Sequence, residues 1–453
     1  MKTRMISLLA AFGLCILLAF SGMQYREHEG PVNVITWDVF GYYLYLPSAF
    51  IYHDPGLSNP KWLNAVRKEY NPTPNLYQVV PGKGGRQLNI YTMGLAASYA
   101  PGFLMAHGYA HLAGYSADGF SVPYQWAMLL SAFLYSCLGI FLLRYLLLRF
   151  FSDTLTAFLV CLTVLGTNFL FHAGLEGAMP HNFLFSLNCL LLLLTMKWHE
   201  TYKLRYALLL AFFFGWAMLC RPSEGVWVLI PLFWNVKDWA SLLAKCKLLV
   251  QYKKQVLLSA LVIFLVLFPQ LLYWKWTSGY WKQFNNHAEG FSFLSPYTLD
   301  FLFSYKKGWL LYTPLMLFAL VGFYPLYKSK RPLFYPLALF IVANIYVLSS
   351  WDCWWYASSF SQRPMVESLP VMALVMGVFL QFLWTVRPVV RYLVLTCMAL
   401  LITLNLFQTW QYCAGILDGE RMTEAYYWNI FGKTDLSEAD RDLLEPPGLP
   451  PGP

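Results

Sequence analysis

Asp38 lies in Trp37-Asp38-Val39-Phe40-Gly41-Tyr42-Tyr43, just past the first strongly apolar stretch of the chain. A carboxylate among aromatics, where a chain leaves hydrocarbon, can take the proton of a hydroxyl as that oxygen forms a new bond. Such a reaction also needs a group to hold what departs. If a phosphate departs, its growing charge calls for arginine, lysine or a divalent ion. Arg363, flanked by Ser361 and Gln362, is the first candidate for that task, and Arg221, in Arg221-Pro222-Ser223-Glu224, is the second. Asp38, Glu176 and Glu224 form the alternative: carboxylates that would share a divalent cation if the fold brings them together. No other cofactor is indicated.

Other residues have both a chemical and a bland reading. Trp351, Trp354, Trp355 and Tyr356 are denser than a membrane-interface belt needs, and their faces could stack on sugar rings. His107 and His111 have helical metal-ligand spacing, but no acid nearby completes a set. Asp38 could simply cap a helix beginning at Val39, Arg221 could be an interfacial anchor, and Glu176 a solvated turn residue. The chain has no G-x-x-x-x-G-K-[ST] phosphate loop, no Rossmann glycine fingerprint and no H-E-x-x-H pair. Any reactive substrate must therefore arrive already activated.

The elements that position these residues are membrane helices. With 58% hydrophobic and only 12% charged residues, the chain is far from a soluble domain. Apolar runs predict about eleven spans: Met5 to Ser21, Pro123 to Leu143, Thr154 to Ala173, His181 to Met196, Leu204 to Cys220, Pro222 to Val236, Val256 to Tyr273, Trp309 to Leu326, Leu333 to Leu348, Met365 to Leu383 and Val389 to Gln411. The stretch Tyr91 to Ala113 carries Pro101 and several glycines and is predicted as an interfacial or re-entrant helix. With that assignment, Lys2 and Arg4, Arg144 and Arg149, Lys197 to Arg205, Lys237 to Lys254, Lys328 to Arg331, and Arg387 with Arg391 all fall on one side. The positive-inside rule makes that side cytoplasmic. Lys2 and Arg4 before an apolar stretch ending Ala19-Phe20-Ser21 also loosely fit a cleaved leader, but the segment is kept as a span.

Residues 1–411 are thus expected to be the transmembrane catalytic domain, with a long outer loop, 22–122, carrying Asp38. Residues 412–453 are expected to be an outer tail: a short helix capped by Ser437 and Asp440, then a loose Pro/Gly end. The net charge of +9 is mostly orientation signal, so no nucleic-acid partner is inferred. Asp38, His172, Glu176, His181, Arg221, Glu224, Lys306, Lys307, Asp352, Arg363 and Glu367 collect on the outer side. Ionisable residues at the rim of spans are costly and mark function.

The order of these motifs carries a resemblance covering most of the chain. It runs W-D-x-x-G-Y-Y-x-Y-L-P (Trp37 to Pro47), Tyr91-x-x-Gly94 before a proline-containing helix, His181 opening a span, Arg221-Pro222-Ser223-Glu224, Gly308-Trp309-x-x-x-x-Pro314, and Ser350-Trp351-x-x-Trp354-Trp355 followed by Ser359-Phe360-Ser361-Gln362-Arg363. This resembles the membrane-embedded GT-C glycosyltransferase superfamily, most nearly the bacterial branch of protein O-mannosyltransferases and lipid A aminoarabinose transferases.

The resemblance implies an all-α polytopic fold and inverting transfer of a sugar from a polyprenyl-phosphate donor to a glycan, lipid or protein acceptor. It places Asp38 at the active centre, on the periplasmic side of a bacterial inner membrane. The branch often has Lys-Tyr-Pro where this chain reads Ile90-Tyr91-Thr92, so Lys83, Arg86, Arg221 or Arg363 must supply the donor's cation. Tyr42, Tyr91, His181, Glu224 and the three tryptophans complete the expected substrate site. A lipid-linked sugar flippase, and a glycan polymerase or ligase using His287 and Lys306 of the late outer loop, are the alternatives.

Overall fold

The computed structural model describes residues 4–29, 32–282 and 290–446. Lys2, His287 and the end of the tail from Pro447 lie outside these residues. The fold is almost entirely helical; among the described residues the one sheet is an antiparallel pair, Val79–Pro81 with Gln87–Asn89. The all-α architecture expected from the sequence is thus observed.

Among the described residues, six helices are long and apolar enough to cross a membrane: Met5–Glu27, Val122–Leu147, Lys253–Ser278, Arg331–Ser349, Arg363–Leu383 and Pro388–Cys413. The chain is therefore read as a multi-pass membrane protein. At the centre stands the Pro180–Thr201 helix, buried along nearly its whole length between the Val122–Leu147 and Leu204–Cys220 helices. A helix enclosed on every side can carry polar residues only if each finds a partner. Asn182 donates to the Ala132 carbonyl and Ser136, and Asn188 donates to Glu224 and the Glu367 carbonyl. Gly139 lets Val122–Leu147 approach closely, since a Cβ there would run into Phe185 and Ser186.

Three expected spans are not continuous helices. Thr154 to Ala173 is a helix over Asp153–Leu165, a break at Gly166, and a wide turn over Phe171–Glu176. Pro222 to Val236 is a tight 3-10 segment, Pro222–Val228, followed by Leu229–Phe233. Trp309 to Leu326 is split into Trp309–Tyr312, Met316–Val321 and Phe323–Ser329. Pro314 removes a backbone donor at the first of those breaks. Asn405 donates to the freed Tyr312 carbonyl, and side chains tie the breaks to the segment before Arg363: Thr313 and Ser361 share a hydroxyl bond, and Asn168 donates to the Gln362 carbonyl. Irregular backbone survives at membrane depth only when buried in protein in this way.

Gly94–Ala113 is a continuous 20-residue helix despite Pro101, and it packs against Val122–Leu147 and Leu204–Cys220. Near the end of the described residues, a capping box of Ser437 and Asp440 starts the Glu438–Arg441 helix. A second helix, Glu424–Ile430, helps press Ile416, Met422, Tyr426 and Tyr427 onto Phe171, Tyr312 and Phe360.

Candidate active site

Asp38 sits in the first turn of the Trp37–Tyr43 helix but does not cap it, because no side-chain cap bond exists there. Its oxygens are used elsewhere. Oδ1 accepts from the hydroxyls of Tyr77 at 2.8 Å and Tyr91 at 2.6 Å, and Oδ2 accepts from the Arg363 guanidinium at 2.9 Å. The helix begins at Trp37, whose φ of 48° is unusual for a bulky residue. The Pro72 carbonyl holds the Trp37 amide and Gln78 holds its carbonyl. Strain of this kind, of order 1–3 kcal/mol, persists only where neighbours over-determine it.

Gly41 explains how Tyr91 reaches the carboxylate. A Cβ at Gly41 would collide with the Tyr91 ring, so glycine opens the space the ring occupies. Asn89 fixes the pairing by donating to the Gly41 carbonyl and accepting from the Tyr91 amide. Tyr42 packs its ring edge-on to Tyr91, centroids 4.6 Å apart.

Burial alone would raise the Asp38 carboxyl. The Arg363 charge and the hydroxyls of Tyr91 and Tyr77 outweigh it and hold the group below the ordinary carboxylate range. Burial, and then the Asp38 charge, push both tyrosines upward, so they remain hydrogen-bond donors. With its side chain 21% exposed, Asp38 stays open to an incoming hydroxyl.

Arg363 opens the helical segment that becomes Leu369–Leu383, and the loop before it places Tyr356, Ala357 and Ser361 at positive φ. Glu176 adds a second negative charge near Arg363. His172 bonds Glu176 at 2.7 Å and the Phe360 carbonyl at 3.0 Å, tying the wide turn to that loop. Burial alone would raise Glu176, but its bond to His172 and the charges of His172, Arg363 and His181 together outweigh burial and hold it below the ordinary carboxylate range. Lys307, 1% exposed, binds the Ser359 carbonyl and hydroxyl. Burial, then repulsion from Arg363, push its ammonium well below the lysine range.

A second polar network stands beside the first. Glu367 Oε1 accepts from Arg221 at 2.7 Å and pairs with His181 Nδ1 at 2.9 Å, while Glu224 accepts from Asn188 at 2.9 Å. Arg221 also lies over the Tyr356 ring, 5.6 Å from its centroid. Among the described residues His181 Nε2 has no hydrogen-bond partner. The rings of His172 and His181 are 5.7 Å apart, so the two networks meet there.

Not every expected residue joins this assembly. Lys83 and Arg86 sit at the hairpin tip, where Arg86 lies over the Trp276 ring; neither is among the hydrogen-bond partners of Asp38. Trp354 is buried, and Trp351 and Trp355 are half-buried. Trp351 packs on Tyr356, and Lys306 covers Trp355. Trp354 faces a cavity of about 400 Å³ shared with Asp300, Tyr305, Lys306 and Glu445. Asp38, Glu176 and Glu224 are each engaged with separate partners. Among the described residues no group of three His, Cys, Asp or Glu could hold a metal ion. His107 bonds Tyr124 and touches only His111 as a further ligand type. Tyr77 is the site residue that sequence reasoning missed, since nothing in Asn75-Leu76-Tyr77-Gln78 marks it.

No protein-family model matches the chain, and no curated protein matches it. Among solved structures, the chain is similar to the apo oligosaccharyltransferase of Archaeoglobus fulgidus, with 12% identity and a TM-score of 0.50. The match covers 94% of this chain and 58% of the archaeal one, so this chain spans well under two thirds of that protein. The oligosaccharyltransferase AglB of the same organism, in complex with an inhibitory peptide and a dolichol-phosphate, matches with 13% identity, a TM-score of 0.45 and coverage of 94% and 58%. At this identity the likeness establishes the fold alone.

Proposed function

We propose that this chain is a membrane glycosyltransferase that moves a sugar from a polyprenyl-phosphate donor to a hydroxyl-bearing acceptor, with Asp38 as general base. The observation that carries this reading is the Asp38 carboxylate, held by Arg363 at 2.9 Å and bracketed by two tyrosine hydroxyls in an oligosaccharyltransferase-like fold. In the reaction the acceptor oxygen attacks the anomeric carbon, and its proton passes to Asp38. The bond from that carbon to the phosphate oxygen breaks, and the electron pair leaves on the lipid phosphate. Arg363 neutralises that charge, with Arg221 behind it. A single open carboxylate favours direct displacement with inversion, since retention by a covalent intermediate needs a second one.

The pairing also makes the base responsive to the donor. In the free protein Arg363 weakens Asp38 as a base. A bound phosphate competes for the guanidinium, so Asp38 loses its strongest charge partner as the donor arrives and becomes the better proton acceptor. The proposed setting is the outer, periplasmic face of a bacterial inner membrane, with a protein, lipid or glycan acceptor as in the mannosyltransferase and aminoarabinose transferase branch. The test is incubation of the full chain in lipid nanodiscs and in sealed vesicles with labelled polyprenyl-phosphate sugars. Release of sugar onto an acceptor supports the reading. Labelled lipid that crosses the vesicle bilayer unconsumed would make the protein a transporter.

A further inference from the structure

The Pro180–Thr201 helix carries a second group of polar residues at the end away from Asp38. His181 lies in the Glu367 network, whereas His199 and Glu200 lie roughly 27 Å further along the axis at 1.5 Å per residue. A cavity of about 480 Å³ opens at that end, walled by Phe150, Met196, Trp234 and Leu333 and bordered by His199 and Lys330.

The charges around this cavity do not balance. Lys330 stands over the rings of Phe150 and Phe151, at 5.5 and 5.6 Å from their centroids. Behind the wall, Lys245 is only 6% exposed; its Nζ contacts His199 Nε2 and, at 3.3 Å, the Trp234 carbonyl. Burial pushes this ammonium down to about 8, so it is still mostly charged at neutral pH. Among the described ion pairs neither lysine has a carboxylate. The nearest acid lining the cavity, Glu200, is already taken by Arg149 and Lys197. A buried ammonium without a counter-ion is costly.

The geometry points to a binding site for the phosphate headgroup of an anionic phospholipid in the leaflet opposite Asp38. The headgroup lies at Lys330 and the His199–Lys245 pair, and the acyl chains run along Phe150, Met196, Trp234 and Leu333. Basic pockets between membrane helices bind such headgroups. A free phosphate would meet the charges equally but leave the apolar walls wet, which favours the lipid.

Native mass spectrometry of the purified full chain tests this with phosphatidylglycerol and phosphatidylcholine of identical acyl chains. One phosphatidylglycerol is expected to stay bound in preference to phosphatidylcholine. Lys330→Gln should weaken that binding about five-fold, and because Lys330 is only half-buried the variant keeps its core. Lys245→Met, which keeps the bulk of the stem, should weaken it further. Equal retention of the two lipids, or unchanged binding in Lys330→Gln, would overturn the assignment. Displacement of phosphatidylglycerol by millimolar inorganic phosphate would overturn the lipid occupant in favour of a free anion.

Discussion

Arg363 donates to Asp38 across 325 positions of sequence, joining the loop after the first span to the segment that opens one of the last helices. The pair sets the charge of the candidate base and, in the proposed reaction, the place where the donor phosphate would bind. Arg363→Ala is therefore expected to raise the concentration of donor needed for half-maximal rate at least ten-fold, with a smaller change for acceptor. Steady-state kinetics with each substrate varied in turn checks this. A larger effect on acceptor would move Arg363 to the acceptor side.

The acid limb of the pH profile should lie below the ordinary aspartate value of about 3.9, because Arg363, Tyr91 and Tyr77 together favour the ionised form. A carboxylate depressed in the folded state adds stability above its unfolded value and loses it as pH falls through the folded one. Tyr91→Phe removes one bond to the charged form, so its acid limb should move up in pH. The check is kcat/KM against pH for both proteins. An unmoved limb would mean that Tyr91 only packs.

Gly41→Ala should mimic Tyr91→Phe and also destabilise the protein. The added methyl group displaces the Tyr91 ring, and overpacking of this kind costs typically about 1–3 kcal/mol. Thermal unfolding alongside the transfer assay reads both effects. A normal melting temperature with full activity would show that the ring has room to move.

Glu367 is 2% exposed and serves Arg221 and His181 together. Its removal in Glu367→Ala leaves a buried guanidinium without its partner, a loss of about 3–5 kcal/mol. Glu367→Gln keeps one acceptor and should lose less. Melting temperatures of the two variants in one detergent rank them. Equal values would mean that the acceptor kept by Glu367→Gln recovers none of the loss.

The most legible parts in the sequence were those where physics makes a residue expensive. Asp38, Arg363, Arg221 and Glu367 stand out because charge beside apolar runs is costly unless used, and all four belong to the two adjoining networks. The capping reading of Asp38 fails because local sequence shows what a side chain can bond, not that two distant tyrosines and an arginine bond it first. Tyr77 left no mark, since a tyrosine in an outer loop is unremarkable until the fold turns it inward. The broken spans were hidden for a related reason. Hydropathy counts apolar residues, but whether Thr313-Pro314 can interrupt a helix depends on Asn405 and Ser361 arriving from elsewhere. Lys83 and Arg86 have the right charge for donor phosphate, yet the hairpin directs the Arg86 guanidinium to Trp276 and the Lys83 carbonyl, and neither residue bonds Asp38.

The central claim is that the Asp38 carboxylate takes the proton of the acceptor. Its most direct test compares wild type with Asp38→Asn, a nearly isosteric change, for transfer of labelled sugar from polyprenyl-phosphate donors in nanodiscs. The account predicts that the variant inserts and melts within a few degrees of wild type and still binds donor. Its transfer should fall by about 10²–10⁴-fold, the range general base catalysis supplies. Transfer at the wild-type rate by a folded Asp38→Asn protein would contradict it.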